Sequence, residues 1–235
     1  MATKPPRKKG RVSDPFRFDR ALLAEHAGGD EGGRSDLRLA GADEVGRGCL
    51  AGPLVVAAVV LDYAAAPFPH LDGLTDSKLL TLEVRETLYR GVLRTASRVC
   101  WVATSPLTID TRGLHRCNLA ALCRVLESLR GEYRMAIVDG FDLRRPELRA
   151  RALIGGDYKS AAVAAASVVA KVVRDRLMRA MAPAFPEYGF EGHVGYSTDV
   201  HREALRRHGP CALHRLSFRG VENPQLELWE DQAMR

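Results

Sequence analysis

The chain has 235 residues and a formal net charge of +6 at pH 7, and 46% of its residues are hydrophobic. This apolar fraction is typical of a folded protein and excludes a fully disordered chain. No stretch approaches the ~20 apolar residues that a membrane span requires, since the longest, residues 161–170, ends at Lys171. We expect no secretory signal, because the basic start is followed by Pro, Gly and Asp instead of an apolar segment.

The basic charge is concentrated at the start of the chain. Five positive residues stand among the first 11, without an acidic neighbour, so the rest of the chain is nearly neutral. This pattern permits two interpretations, a solubilising tail or a segment that contacts nucleic-acid phosphates nonspecifically.

The five cysteines include no Cys-x-x-Cys pair. The spacing is therefore not that of a zinc site, and no disulfide framework is implied for a chain of this length. A reducing cytoplasm is the compartment that fits this cysteine usage best.

Three regions are predicted along the chain. Residues 1–36 are basic and Gly-rich and predict a disordered leader with at most one short helix, around residues 18–26. Strands mixed with helices predict a single α/β domain over residues 37–220. Residues 221–235 form a tail with an apolar trace, which either docks on the domain or stays free of it.

Within the domain, two apolar runs flank a Gly- and Pro-rich cluster and predict a β-hairpin, with strands over residues 37–42 and 54–61. Further strands are predicted over residues 98–104 and 135–138. The apolar spacing and the capping residues predict helices over residues 80–96, 118–129, 160–182 (capped by Ser160 and stopped by Pro183) and 199–208.

Four acidic residues stand at predicted strand ends and helix starts: Asp43, Glu44, Asp139 and Asp157. Carboxylates that converge on one spot repel each other unless a cation neutralises them, and oxygen ligands of this kind favour Mg²⁺ or Mn²⁺. Two of these positions also have a plainer interpretation, since Asp139-Gly140 is an ordinary turn signal and Asp157 an ordinary helix-start acid. Adjacent strand residues face opposite sides, so either the strand ends by Glu44 or Glu44 contributes partly through its backbone carbonyl.

The segment Ala40–Pro53 resembles the opening block of the ribonuclease HII family, the type 2 ribonucleases H. Further blocks follow in the order and approximate spacing of that family, and together they extend the resemblance over residues 39–218. These blocks are residues 76–78, 138–140, 156–160, 164–171, 174–175, 195–198 and 214–218.

The resemblance implies an RNase H-like α/β fold with a mixed central sheet flanked by helices and a C-terminal helical segment. It implies a metal-dependent endonuclease that hydrolyses the RNA strand of RNA/DNA hybrids. The same enzyme would cut on the 5′ side of ribonucleotides embedded in duplex DNA, leaving 3′-hydroxyl and 5′-phosphate ends, and so remove primers and misincorporated ribonucleotides. The expected cofactor is Mn²⁺ or Mg²⁺, and the expected enzyme is a cytoplasmic monomer with no membrane partner.

Residue roles are carried over by position. The catalytic and metal-binding positions of the family fall on Asp43, Glu44, Asp139 and Asp157. The motif that recognises the ribose 2′-hydroxyl falls on residues 46–48, and the tyrosine that packs on the following sugar falls on Tyr196. The complete set of expected substrate-binding residues is Gly46, Arg47, Gly48, Lys78, Lys159 and Tyr196.

Two positions depart from the family pattern, because Gly155 and Val194 stand where basic residues are common. Phosphate binding would then depend more on Lys78, Lys159 and Lys171, although Lys171 could equally be a solvated helix residue.

Two alternatives remain beside the favoured function. A type 3 ribonuclease H would carry an additional N-terminal domain, for which the leader is too short, and usually has Glu where Asp157 stands. A non-catalytic nucleic-acid-binding module would gain nothing from clustered carboxylates.

Overall fold

A five-stranded mixed sheet lies at the centre of the protein. The computed structural model describes residues 14–26, 36–75, 77 and 80–221. In the sheet, β2 is antiparallel to β1 and β3, whereas β4 is parallel to β1 and β5. The spatial order is β3-β2-β1-β4-β5. The strands are β1 (Arg38–Val45), β2 (Leu54–Asp62), β3 (Arg98–Thr104), β4 (Met135–Asp139) and β5 (Ala150–Leu153).

Helices cover both faces of this sheet. The long helix α6 packs across β1 and β2 on one face, and α4 packs against the same strands on the other. None of the helices in the described ranges combines the length and apolar character needed to cross a bilayer. The helices are α1 (Pro15–His26), α2 (Leu82–Thr95), α3 (Pro106–Arg112), α4 (Leu114–Ser128), α5 (Gly156–Lys159), α6 (Ala161–Met181), α7 (Phe190–His193) and α8 (Asp199–His208).

The alternation of side chains along β1 decides which residues face which helix. Leu39 packs in the cluster on the α6 side, whereas Ala40 and Ala42 pack in the cluster on the α4 side. A Cβ added at Gly41 would lie 2.1 Å from the backbone carbon of Ala162 in α6. Only glycine therefore allows α6 to lie directly on β1, and the Ala-rich first half of α6 suits the same close approach.

Most predicted elements are confirmed. The hairpin forms as β1 and β2, and α2, β3, β4, α6 and α8 lie within a few residues of their predicted positions. The Ser160 hydroxyl caps α6 by accepting the Val163 N–H at 3.3 Å. The short elements α3 and β5 were not predicted, and α4 begins four residues before the predicted start at Asn118.

The first helix corrects the predicted leader. Residues 15–26 form α1, and Leu22 and Leu23 are buried in the main core. The buried Asp19 carboxylate accepts the Tyr63 hydroxyl at 2.6 Å and the Ala162 N–H at 3.0 Å, so α1 holds the first turn of α6. The short helix predicted around residues 18–26 is present as α1, which begins three residues earlier and packs in the main core instead of remaining in a disordered leader. The rest of the leader and residues 222–235 of the tail lie outside the described residues.

If α1 belongs to the core, Leu23→Ala should lower the free energy of unfolding by about 2–5 kcal/mol, because it deletes buried methyl groups and leaves a cavity. Leu107, whose side chain is 73% exposed against 1% for Leu23, supplies the matched control. Leu107→Ala should change the free energy by less than about 0.5 kcal/mol. Urea unfolding followed by circular dichroism measures both. Equal, negligible losses would show that α1 is detached from the core in solution.

Candidate active site

Two of the four acidic side chains lie at the carboxyl ends of neighbouring parallel strands. The pairing of β1 with β4 runs as far as Ala42 opposite Val138. Asp43 and Asp139 are the next residues on the two strands, and Asp139 is the last residue of β4. The carboxyl ends of parallel strands in α/β sheets are where binding crevices form. The two carboxylates therefore stand side by side at this end of the sheet.

The turn that carries Asp157 is attached to Asp139. The Gly156 N–H donates to Asp139 Oδ1 at 2.7 Å, and a Cβ on Gly156 would lie 3.3 Å from the same oxygen. Asp157 follows as the second residue of α5 and is buried. Gly155 before it has φ 67°, in the left-handed region that favours glycine. Glycine therefore suits the backbone at this position.

Asp43 and Glu44 reach the site from opposite faces of the sheet. Strand β1 continues to Val45, and Glu44 stays paired with Val56, so the strand does not end by Glu44 as one interpretation required. Asp43 faces α6, where the Ser167 hydroxyl is near enough to favour the ionised form and so to lower the pKa of Asp43. Glu44 faces α4, where Asn118 lies beside it. The site is thus lined from both layers of helices.

Electrostatic repulsion shows how closely these carboxylates are placed. Burial first, and then the charges of Glu44 and Asp139, raise the pKa of Asp43 to about 8. The Glu44 N–H, which donates to Asp43 Oδ1 at 2.8 Å, acts in the opposite direction. Burial also raises the pKa of Glu44, and Asp139 adds to that shift. Arg47 opposes it, with Nη1 3.6 Å from Glu44 Oε1.

The carboxylate oxygens are suitable ligands for a divalent cation, although they do not form a complete coordination shell. In the described part of the chain, no three His, Cys, Asp or Glu side chains are gathered into a group that could hold a metal ion. Glu44 Oε2 is nevertheless buried without a hydrogen-bond partner. Asn118 lies near enough to Glu44 to favour its ionised form. The buried amide nitrogen and oxygen of Asn118 nevertheless have no hydrogen-bond partner of normal geometry. A cation would satisfy such an oxygen and relieve the repulsion, and carboxylate oxygens suit Mg²⁺ or Mn²⁺.

The predicted ribose-reading turn lies directly beside these carboxylates. Gly46 has φ 91°, and a Cβ there would lie 2.2 Å from Arg174 Nε. The Arg47 guanidinium lies 4.7 Å from the centre of the Phe141 ring, and its Nε is buried without a partner. The Arg47 carbonyl accepts Arg215 Nη1 at 3.1 Å. A Cβ on Gly48 would meet nothing within 4 Å, so the turn presents open backbone there.

The loop that carries Tyr196 is bonded to the end of this turn. The N–H groups of Leu50 and Ala51 donate to the Gly195 carbonyl at 3.0 and 3.3 Å. The Tyr196 ring is half-buried, with Lys171 Nζ 4.8 Å from its centre. Burial raises the pKa of the Tyr196 phenol to about 12. The Tyr196 ring is therefore uncharged at neutral pH and lies next to the Gly46–Gly48 turn.

The predicted phosphate-contacting lysines have different environments. Lys159 is exposed on α5 and donates to the Ile154 carbonyl at 2.8 Å. Lys171 is largely buried, pairs with Asp175 at 2.8 Å, and has its pKa lowered by burial. The interpretation of Lys171 as a solvated helix residue is therefore wrong. Lys78 lies outside the described residues.

Several residues of the site were missed from the sequence. Asn118 and Ser167 contact the carboxylates, and Arg174 and Arg215 hold the turn. The buried face of α4 runs through Asn118, whereas the apolar Leu119 beside it is only half-buried. The signal in the sequence was the polar residue Asn118, which stands three and four residues before Ala121 and Leu122 and so shares their buried face.

The sequence model of the ribonuclease HII family matches residues 40–221. The chain belongs to the ribonuclease HII family. A ribonuclease HII of Xanthobacter autotrophicus is 46% identical over 220 residues, which cover 94% of this chain and 83% of that protein. A ribonuclease HII of Sinorhizobium medicae is 49% identical over 183 residues, covering 77% of this chain and 82% of that protein.

Solved structures agree with the sequence relatives. The ribonuclease H2 from Pyrococcus horikoshii aligns with a TM-score of 0.69 at 26% identity, over 84% of this chain and all of that one. The ribonuclease HII of Archaeoglobus fulgidus, solved in complex with PCNA, aligns at 0.65 with 28% identity, over 80% of this chain and 98% of that one. A Bst-RNase HIII in complex with Mn²⁺ shares the fold. It aligns with a TM-score of 0.61 at 21% identity, over 92% of this chain and 74% of that one.

These findings confirm the predicted family, the α/β fold and the enzyme class. The protein is a ribonuclease H, a hydrolase that acts on RNA/DNA hybrids, in a family that depends on a divalent metal. The names of its relatives favour type 2 over type 3.

The raised pKa of Asp43 predicts that the free energy of unfolding of the metal-free enzyme depends on pH. An unfolded aspartate titrates near pH 3.9, whereas folded Asp43 titrates at about pH 8. Between these values folding takes up a proton, so the folded state loses stability as pH rises. Asp43→Asn removes this loss, and its stability relative to wild type should increase by about 1 kcal/mol or more from pH 5 to pH 8.

Urea unfolding at several pH values in the presence of a chelator checks this expectation. Asp72→Asn, at an exposed position, is the matched control and should show a constant difference from wild type. A constant difference for Asp43→Asn as well would show that Asp43 is not held against the other carboxylates.

Proposed function

We propose that this ribonuclease HII cuts the phosphodiester on the 5′ side of ribonucleotides, both in RNA/DNA hybrids and at single ribonucleotides embedded in duplex DNA. The products would be 3′-hydroxyl and 5′-phosphate ends. One observation carries the proposal, namely that Asp43, Glu44 and Asp139 converge at the ends of β1 and β4, directly beside the Gly46–Gly48 turn. This arrangement combines a cation-binding cluster with a surface that backbone groups can present to a ribose.

The residues that would hold Mn²⁺ or Mg²⁺ are Asp43, Glu44, Asp139 and Asp157. When bound, such an ion lowers the pKa of an attacking water and stabilises negative charge on the phosphate. The protein's own contribution is to orient these carboxylates and to hold them close together, so that a cation relieves their repulsion. The Gly156 N–H fixes Asp139, and Arg47 favours the charged form of Glu44.

The turn over Gly46–Gly48 would distinguish ribose from deoxyribose. The 2′-hydroxyl is the only group that separates the two sugars at one nucleotide, and glycine lets backbone groups approach a sugar closely. The backbone of Arg47 is fixed by Arg215, its guanidinium rests on Phe141, and its buried Nε has no partner in the described residues. A held arginine with a spare donor is suited to a substrate oxygen.

The half-buried ring of Tyr196 would pack on the sugar that follows the ribonucleotide. A deoxyribose offers an apolar face, whereas a 2′-hydroxyl disturbs that contact. Lys159 and Lys78 would contact the phosphates. We propose that the enzyme is a cytoplasmic monomer that removes RNA primers and misincorporated ribonucleotides.

Asp139→Asn tests the proposed chemistry. We expect the variant to lose cleavage by on the order of 1000-fold, because the loss of one ligand charge removes several kcal/mol of transition-state stabilisation. Binding of the duplex, measured by fluorescence anisotropy, should remain. The matched control is Asp142→Asn, three residues further on and exposed.

The substrate is a labelled DNA duplex with one ribonucleotide, assayed with Mn²⁺ or Mg²⁺, and the ends are identified on denaturing gels. Near-normal turnover of Asp139→Asn at saturating metal would remove Asp139 from the site. Cleavage on the 3′ side of the ribonucleotide would contradict the proposed reaction.

Tyr196→Phe should retain most activity at an RNA–DNA junction, since the ring makes the contact. Tyr196→Ala should slow junction cleavage by about 10- to 100-fold, as expected for the loss of one stacking-type contact, and should affect an all-RNA strand less. Single-turnover rates on the two substrates measure the difference. If the Ala and Phe variants behave alike at the junction, Tyr196 does not contact the sugar.

A further inference from the structure

Three histidines with no part in the chemistry above lie behind Tyr196. They are His193, His201 and His214, and the last two are almost completely buried. The ring centres of His193 and His201 are 4.4 Å apart, and those of His201 and His214 are 5.2 Å apart. They belong to α7, α8 and the segment after α8, so they connect three separate parts of the chain.

The hydrogen bonds fix which nitrogen of each ring carries the proton. The backbone N–H of Cys211 donates to His214 Nδ1 at 2.9 Å, so this nitrogen accepts and Nε2 carries the hydrogen of the neutral ring. His214 Nε2 lies 3.0 Å from His201 Nε2, which must therefore accept. The proton of His201 is then on Nδ1, which donates to the Tyr196 carbonyl at 2.8 Å. The bonds run in one direction, from Cys211 to Tyr196.

The neutral forms required by this relay agree with the environment of the rings. Burial lowers the pKa of both His201 and His214 to about 4. His193 is held separately, with Nε2 2.7 Å from the Tyr188 carbonyl and Nδ1 accepting the Gly195 N–H. A proton added to His201 Nε2 would face the hydrogen on His214, so the relay excludes the charged ring at neutral pH.

The relay ends on the main chain that orients the Tyr196 ring. The Tyr196 carbonyl accepts the Thr198 N–H at 2.9 Å in addition to His201. On the other side, the Gly195 carbonyl accepts two N–H groups from the turn at Leu50 and Ala51. The peptide units on both sides of the Tyr196 Cα are therefore fixed, one by the ribose-reading turn and one by the histidine relay.

We propose that His201, oriented by His214, is a positioning residue that holds Tyr196 for its contact with the sugar, and that it thereby sets the preference for RNA–DNA junctions. This inference rests on the proposed role of Tyr196. His201 touches neither the substrate nor the carboxylates. Its loss should therefore affect the choice between substrates more than the hydrolysis itself.

Two substitutions separate positioning from simple packing. His201→Asn keeps an amide N–H at the place of Nδ1 and can still donate to the Tyr196 carbonyl. His201→Gln places its amide near the position of Nε2 and loses that bond, although Gln is closer to His in size. If His201 only fills space, the Gln variant should resemble wild type more than the Asn variant does. The relay predicts the reverse.

The readout is the ratio of single-turnover rates on an RNA–DNA junction and on an all-RNA strand, with full-length protein. We expect His201→Gln to lower this ratio by about 10-fold, the value of one ordinary hydrogen bond, and His201→Asn to stay within about 3-fold of wild type. His208→Gln, at an exposed position on the same helix, is the matched control. Equal ratios for the Asn and Gln variants would overturn the proposal.

A second measurement uses the wild-type protein and needs no variant. The ¹⁵N spectra of the wild-type histidine rings report the tautomers directly. We expect Nδ1–H for His201 and Nε2–H for His214 at pH 7, and any other pair of tautomers would overturn the relay. If Tyr196→Ala changes the junction ratio and His201→Gln does not, only the inference about His201 fails. If Tyr196→Ala has no effect, the proposed role of Tyr196 fails, and positioning by His201 with it.

Discussion

The direct contact of α6 with β1 at Gly41 is the constraint on which the site depends. Because the helix backbone lies against the strand, with no room for a Cβ between them, the position of every side chain on that face of α6 is fixed relative to the strand ends. Ser160, Ser167 and Arg174 are spaced by seven residues and so share one face of the helix. Ser160 starts the helix just after the Asp157 turn, Ser167 contacts Asp43, and Arg174 bonds the carbonyl of Pro53 beyond the ribose-reading turn. A single helix thus positions residues along the whole end of the sheet where the proposed active site lies.

The same packing explains why the carboxylates are held at an energetic cost. Asp43 is buried on the α6 side of β1, close enough to Glu44 and Asp139 for their charges to raise its pKa. The repulsion is therefore retained in the metal-free fold instead of being relieved by side-chain movement. Proteins often keep such destabilising groups where function requires them. Here the stored repulsion favours the binding of a cation at this end of the sheet.

The sequence was sufficient for most of the regular elements and for the expectation that acidic residues meet at the strand ends. Strand β2 and helix α6 could be predicted because their apolar runs are long and, for α6, a capping residue and a proline mark its ends. The opposite orientations of Asp43 and Glu44 could not be predicted, because they depend on how far strand β1 continues. The packing of α1 was hidden by its Gly-rich surroundings. Lys171 and Arg215 were hidden because long basic side chains are usually exposed, whereas here an ion pair and main-chain carbonyls compensate their burial.

The order in which the chain is synthesised gives a consequence of the segment that ends at Arg215. All four carboxylates have been made once residue 157 is complete. The proposed ribose-reading turn is fixed later, when the Arg215 side chain donates to the carbonyls of Arg47 and Gly52 and its backbone N–H donates to the Leu50 carbonyl. The relay to Tyr196 likewise starts at Cys211. A domain folds as a unit during synthesis, so a nascent chain that stops before residue 211 has its acidic residues but lacks the contacts that fix the proposed sugar-selecting surface. On the proposed roles of this turn and of Tyr196, selection of the sugar therefore requires the segment from Cys211 to Arg215 to join the fold.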